Sequence, residues 1–243
     1  MSNSRSSKIA SCIIACIAIL MTFVFVYPLY YSIMASFSNS NELMRYTGFL
    51  IKPIGFSVAA YKEVISNSLI TNGLKNTFTI MVVSLIINMV LTSSAAYFFS
   101  RKDIMLKKAL FMFVLITMFV NGGMVPFYLT VKGLGLDNTF WAVILPGAVN
   151  TFNLIILKTG FESIPDSLIE AAKVDGGNDF LVFFKIVLPL FKSTLAVIFL
   201  YYAVSNWNSW FYASIFLREK TLQPLQLILR QILLANNTDS MVG

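Results

Sequence analysis

The sequence predicts an all-α polytopic membrane protein, on three observations. Only 12% of its 243 residues are charged and 57% are hydrophobic, against roughly 25% charged in an average soluble domain. Five runs contain no charged residue: 9–41, 76–100, 109–131, 138–157 and 193–217, of 33, 25, 23, 20 and 25 residues. A bilayer-spanning helix needs about 20 mostly apolar residues at 1.5 Å rise each, so each run can hold one span. The basic residues cluster at the ends of these runs and not along one face, so the net charge of +7 points to a lipid bilayer and not to nucleic acid as a partner.

The first run follows Arg5 and Lys8. Its apolar stretch exceeds the 7–15 residues of a signal-peptide core, and residues 1–36 read as a retained anchor span. Pro28 removes a backbone donor near its end and predicts a kink. Cys12 and Cys16, one turn apart inside this span, read as apolar filler, and no metal site is expected. Residues 37–73 form a loop, 74–217 the core with spans two to five, and 218–243 a tail. Gly122-Gly123-Met124-Val125-Pro126 predicts a break near the end of span three, at a place where irregular backbone has to face protein or a water-filled cavity.

Charge in short loops sets the orientation. Arg5 and Lys8, then Arg101, Lys102, Lys107 and Lys108 between spans two and three, place the N-terminus inside the cell. Alternation then puts 37–73, the link near 132–138 and the tail from Arg218 outside, and residues 158–192 in the cytoplasm. Arg45, Lys52, Lys62 and Lys75 count against this orientation, in a longer segment where the rule is weaker.

Residues 160–192 differ from their surroundings by carrying Glu162, Asp166, Glu170, Asp175 and Asp179. They read as two short helices and a turn. Ser163 with Asp166 is the expected cap of the first, Leu168, Ala171 and Ala172 its narrow apolar face, and Asp175-Gly176-Gly177 its end. The second starts near Asn178 or Asp179, places Phe180, Phe183, Phe184, Val187 and Leu188 on one face, and breaks at Pro189. Small residues beside an acidic one suit a helix docked in a groove of another protein; packing on the chain's own bundle is an equal reading of these residues alone.

Here the string Glu170-Ala171-Ala172, three residues, Gly176, nine residues, Ile186, one residue, Leu188-Pro189 resembles the EAA loop of permease subunits of bacterial ATP-binding cassette (ABC) importers. Gly122 to Pro126 with Tyr128, Leu136-Asp137-Asn138-Thr139 and Trp207-Asn208-Ser209-Trp210 are similar to the carbohydrate branch that takes oligosaccharides, the maltose-permease-like group. The resemblance implies a type I importer transmembrane domain and a coupling helix seated in a cytoplasmic ATPase. Glu170, Ala171, Ala172, Asp175, Gly176, Ile186, Leu188 and Pro189 would form that coupling site. It also implies two ATPase subunits that use ATP and Mg, a second permease forming a heterodimer, an extracellular solute-binding protein, and a bacterial inner-membrane location. No catalytic residue and no cofactor bound by this chain are implied, and the P-loop pattern of an ATPase is absent from the sequence. Such permeases have six spans. About five are expected here, because Arg230 and Asp239 interrupt the tail, which reads as lacking the last.

Within the runs the polar handles are Asn76, Asn88, Asn121, Asn150, Asn153, Asn206 and Asn208, most of which read as helix-to-helix glue at about 0.6 kcal/mol each. The substrate-pathway candidates are Trp207, Asn208, Trp210 and Tyr212, whose rings can stack on sugars or lie in an interfacial belt, with Asn88, Asn150 and Asn153. A secondary transporter or channel would usually need ionisable residues in its spans. The five runs have none and the chain has no histidine. A non-transporting membrane subunit, or an importer of another small polar solute, is the alternative.

Overall fold

The computed structural model describes residues 5–102 and 104–242; the side chains of Arg5 and Asp239 lie outside the described set. Every regular element among those residues is helical. Two compact units, Met1–Ser68 and Leu69–Gly243, make up the chain.

In the first unit, α1 (Arg5–Ser36) is apolar on all sides and contains Pro28. No part of its most apolar stretch is buried, as expected of a helix whose solvent is lipid. Short helices α2 (Ser40–Met44) and α3 (Ala59–Ser66) follow. The segment before α3 is tied back to the end of α1 by side chains. The Leu50 amide donates to Tyr27 Oη at 3.1 Å, the Tyr30 hydroxyl donates to the Ile51 carbonyl, and the Ile54 amide donates to Ser38 Oγ at 3.1 Å. Phe37 stacks on Phe56 with centroids 5.9 Å apart.

The second unit contains α4 (Ser68–Ser100, from its second residue on), α5 (Lys107–Phe119), α6 (Met124–Gly133), α7 (Trp141–Ile144, extended by a 3-10 turn at Leu145–Gly147), α8 (Thr151–Glu162), α9 (Asp166–Val174), α10 (Asp179–Val182), α11 (Leu188–Leu190), α12 (Lys192–Trp207), α13 (Phe211–Phe216) and α14 (Leu225–Val242). Two helices, α1 and α4, are long and apolar enough to cross a membrane, and up to five spans result if each bent pair counts as one. The bent pairs are α5 with α6 at 118°, α7 with α8 at 42°, and Asp179–Leu190 with Lys192–Phe216 at 82°. The first bend falls at the expected glycines: α5 stops at Phe119, Gly123 takes φ +86°, and the Asn121 side chain accepts from the Gly123 amide at 2.9 Å. The break in the fourth run is an addition to the sequence reading, whereas the third bend lies at Phe191, before the fifth run and two residues past the break expected at Pro189.

The tail, in which the sequence predicts no sixth span, contains the helix α14. Arg230 lies over the Trp210 ring at 3.6 Å, which gives the charge an aromatic partner. At the start of α14, the Leu225 amide donates to Thr77 Oγ1 at 2.9 Å and Asn76 donates to the carbonyls of Thr221 and Gln223 at 2.7 and 3.1 Å. Gly73 allows this approach: a Cβ there would lie 2.5 Å from Ile228 Cδ1 and 3.2 Å from the Leu225 backbone. On the same unit, Asn138 adopts φ +58° and binds the backbone amides of Arg218 and Glu219 through its carbonyl oxygen, while Arg218 pairs with Asp137 at 2.9 Å.

The largest buried cluster joins Leu85, Ala96 and Phe99 of α4 to Leu154, Leu157 and Phe161 of α8, Ile169 of α9, Val182, Phe183 and Val187 after it, and Ile198 and Tyr202 of α12. The segment 160–192 is therefore part of the main core and not a loop laid over it.

Candidate coupling site and polar cavity

The end of α8 sets up the candidate coupling segment. Ser163 Oγ donates to the Gly160 carbonyl at 2.7 Å, closing α8. It does not cap α9, which starts three residues later at Asp166 behind Pro165, without a side-chain cap. Asp166 turns to Lys102, whose Nζ lies 2.5 Å from Oδ2. The hydrogen bond from Lys102 holds the Asp166 carboxyl below the ordinary carboxylate value; partial desolvation opposes it, and the charges of Lys102 and Arg101 add to it.

The end of α9 is a Schellman motif. The Gly177 amide donates to the Ala172 carbonyl at 2.8 Å and the Gly176 amide to Lys173 at 3.0 Å, with Gly176 at φ +82°. Asn178 then caps α10, its side chain accepting from the Leu181 amide at 2.9 Å, and Lys173 pairs with Asp179 at 3.3 Å across the turn. Phe183–Val187 is a π-helical turn, so Pro189 is carried inside the following α11 and the chain breaks two residues later, at Phe191. The wider turn relaxes the i to i−4 pattern that a proline disrupts.

The faces differ from the sequence reading. In α9, Ile169 is buried with Ala172 beside it, while Leu168, Glu170 and Ala171 face outward. In the second part, Val182, Phe183 and Val187 are buried and Leu188 and Ile186 partly so, while Phe180 is 76% and Phe184 60% exposed. The helix start at Asp166 and the core contacts of Ile169 fix this rotation. The result is an exposed set of Leu168, Glu170, Ala171 and Val174 on α9, with Phe180 and Phe184 exposed after the turn. Val174, at 86% exposed, is the member that the sequence reading missed. Its signal is the i, i+3 spacing from Ala171. Asp175, Gly176 and Pro189 are also exposed.

A second site lies at the break between α7 and α8. Asn88, 1% exposed, donates to the carbonyls of Gly147 and Ala148 at 2.6 and 3.0 Å and accepts from the Asn206 amide at 3.2 Å. These carbonyls end a helix and have no intrahelical donor. The Asn150 carbonyl oxygen caps α8 on the Asn153 amide at 3.1 Å, and the Asn150 amide donates to Tyr202 Oη at 2.9 Å, itself 2.7 Å from Thr92 Oγ1. Beside this network is a cavity of about 430 Å³ lined by Asn150, Phe152, Asn153, Tyr201, Ser205 and Asn206, among others.

The pathway candidates thus separate. Asn150 and Asn153 share the polar cavity, and Asn88 holds its backbone from behind. Trp207 and Asn208 line a different, apolar hollow with Met81, with Trp207 against Phe78 at 5.8 Å and Asn208 bonded to its own helix at the Val204 carbonyl. Trp210 is covered by Arg230, and Tyr212 packs on Phe127 at 5.2 Å. Tyr201 and Ser205 were not singled out in the sequence. The signal was present in Pro146-Gly147, which marks a break in the fourth run, and in their spacing of one helical turn.

Residues 88–242 match the family described as binding-protein-dependent transport system inner membrane component. The chain is 41% identical over 219 residues to the polygalacturonan/rhamnogalacturonan transport system permease protein of Bacillus subtilis (strain 168), covering 90% of this chain and 76% of that protein. It is 28% identical over 245 residues to the arabinooligosaccharides transport system permease protein of Halalkalibacterium halodurans, covering 98% and 88%. A chain in the crystal structure of a bacterial ABC transporter involved in the import of the acidic polysaccharide alginate superposes with a TM-score of 0.92 at 31% identity, covering 95% of this chain and 82% of that one.

Proposed function

Since this chain belongs to the family of binding-protein-dependent transport system inner membrane components, we propose that it passes an oligosaccharide, delivered by an extracellular binding protein, through a heterodimer with a second permease. The chain is an inner-membrane transport subunit of an ABC importer and not an enzyme; ATP is hydrolysed by a separate subunit. Two such ATPases using ATP and Mg would sit on the cytoplasmic face, with the N-terminus on that same side. The saccharide cargoes in the relatives' names support the substrate class.

The observation that carries the mechanism is the outward face of α9. Ile169 anchors this helix in the core while Leu168, Glu170, Ala171 and Val174 are left uncovered, an arrangement a soluble surface avoids and a docking groove on the ATPase would fill. Ala171 allows the backbone to approach and Glu170 offers a charge to a basic group. Closure of the ATPases would move α9. Because its partner residues in the core belong to α4, α8 and α12, the displacement would reach the helices around the polar cavity. Purification of the whole importer through its ATPase tests the docking. Ala171→Arg and Glu170→Ala should lower the amount of this subunit recovered while membrane insertion stays intact. Undiminished recovery of both would remove α9 as the docking element.

A further inference from the structure

We propose that Tyr97 of α4 is a positioning residue of the transport cycle, whose hydroxyl closes on the Asp179 carboxylate when α9 and the turn after it are displaced. This rests on the reading of α9 as the docking element.

The carrying observation is the Tyr97 hydroxyl. Its oxygen is buried and forms no hydrogen bond with any described residue. Leaving a buried polar group unpaired is costly, and such a group in a native structure has a specific role or a partner in another state. The ring is held in place. It packs on the buried Phe183 with centroids 5.1 Å apart, and Arg101 lies over it at 5.9 Å. It also joins the edge of the main core. The hydroxyl is thus fixed on α4, and a partner has to come to it.

There is room for that approach. Tyr97 lines two cavities, one of about 170 Å³ with Asp166, Ile169 and Lys173 of α9, and one of about 230 Å³ with Asp179, Phe180 and Phe184. The Asp179 carboxylate is the acceptor beside the hydroxyl: the two side chains interact, short of a hydrogen bond of ordinary geometry. Asp179 is shared with Lys173, whose Nζ lies 3.3 Å from Oδ1 across the turn. That is longer than a well-made charge-assisted hydrogen bond, so neither contact of Asp179 is fully closed. Lys173 is on α9 and Tyr97 on α4. A shift of about 1 Å between them decides which contact closes, since hydrogen bonds weaken steeply with distance and angle. Here the carboxylate pairs with Lys173, and the displaced segment would hand it to Tyr97. Thr92 and Asn88, which bind the network at the head of α8, stand on the same helix, so a bond made at Tyr97 acts on that network along α4.

The test is uptake and ATP hydrolysis by the complete importer in proteoliposomes, with neutral and uronate di- to tetrasaccharides as probes. Tyr97→Phe keeps the ring and removes the oxygen. It should leave the apparent KM and the recovery with the ATPase unchanged and lower the maximal uptake rate about tenfold, with more ATP hydrolysed per saccharide carried. Lys173→Met frees Asp179 for Tyr97 and should raise ATP hydrolysis in the absence of saccharide, an effect that should vanish in the Tyr97→Phe background. If Tyr97→Phe fails to assemble, Asp179→Ala, at an exposed side chain, carries the test with the same fall in rate at unchanged KM. A wild-type rate and a wild-type ratio of ATP to saccharide in Tyr97→Phe overturn the positioning role alone: the hydroxyl is then filler, or rests on water in every state. Undiminished ATPase recovery of Ala171→Arg and Glu170→Ala overturns the docking reading, and the role of Tyr97 with it.

Discussion

Two adjacent glycines at the end of α9, the proposed coupling helix, make different demands. Gly176 sits at φ +82°, yet a Cβ built there meets nothing within 4 Å. Its constraint is conformational only. Alanine held in the left-handed region costs about 1 kcal/mol, which is about a fivefold rise in the opened state of the turn. Asparagine tolerates that region, so Gly176→Asn should recover most of the loss. Gly177 is constrained by space. Its Cβ would lie 2.6 Å from the Ala172 carbonyl oxygen and 3.3 Å from Leu181 Cδ2. The carbonyl belongs to the backbone and accepts the Gly177 amide at 2.8 Å, so relief of the clash also breaks this bond. Strain and the lost bond together come to about 2–3 kcal/mol. Hydrogen exchange over residues 160–192 in the assembled importer, with recovery of the ATPase, should rank wild type close to Gly176→Asn, then Gly176→Ala, then Gly177→Ala. If Gly176→Asn and Gly176→Ala are equally damaging while Gly177→Ala is silent, the reasoning fails, and crowding by a docked partner at position 176 would be the operative constraint.

Asn88→Ala leaves the Gly147 and Ala148 carbonyls without their donor and should destabilise the chain by about 2 kcal/mol, above the ~0.6 kcal/mol of an average intramembrane pair, whereas Asn206→Ala, which loses one bond of 3.2 Å, should cost less than half as much; equal midpoints in detergent unfolding would refute the assignment. Trp210→Leu should release α14 by about 1 kcal/mol, read as faster hydrogen exchange over 225–235, while Trp210→Phe should retain part of the hold of Arg230. Asp166 has a lowered pKa, so its pairing with Lys102 contributes above the ordinary carboxylate value, near ~3.9, and is lost only as pH falls through the lower folded value. Protection at the start of α9, corrected for intrinsic exchange, should be flat from pH 8 to 5 in the wild type, and a change within that window would contradict it.

Much of this architecture was legible in the chain because its physics is local. Uncharged runs report the solvent, and each falls on a helix or a bent pair. Glycines 122 and 123 mark a break because only a residue without Cβ takes φ +86° freely. Gly176 and Asn178 mark the end of α9 and the start of α10 for similar reasons. What escaped depends on partners distant in sequence. Arg230 interrupts the tail, yet Trp210 receives it. Ser163 and Asp166 look like a capping pair, but Gly160 and Lys102 claim them. Leu168 and Phe180 look like core, while Ile169 and Val182 reach it first. The polar cavity is assembled from α7, α8 and α12, so its asparagines could be named from the sequence, but not which of them meet.

Tyr202 has a mechanical consequence. Its oxygen touches Thr92 on α4 and the amide at the head of α8, and α8 and α12 are the two members that flank the proposed coupling segment. The pair is thus joined at one end by that segment and at the other by a shared oxygen, as in a closed frame. An open pair of rods pushed at one end can slide past each other and dissipate the stroke. A frame pinned at both ends resists shear and turns as one piece, so a push on α9 would arrive at the cavity as a tilt of its walls with their spacing preserved.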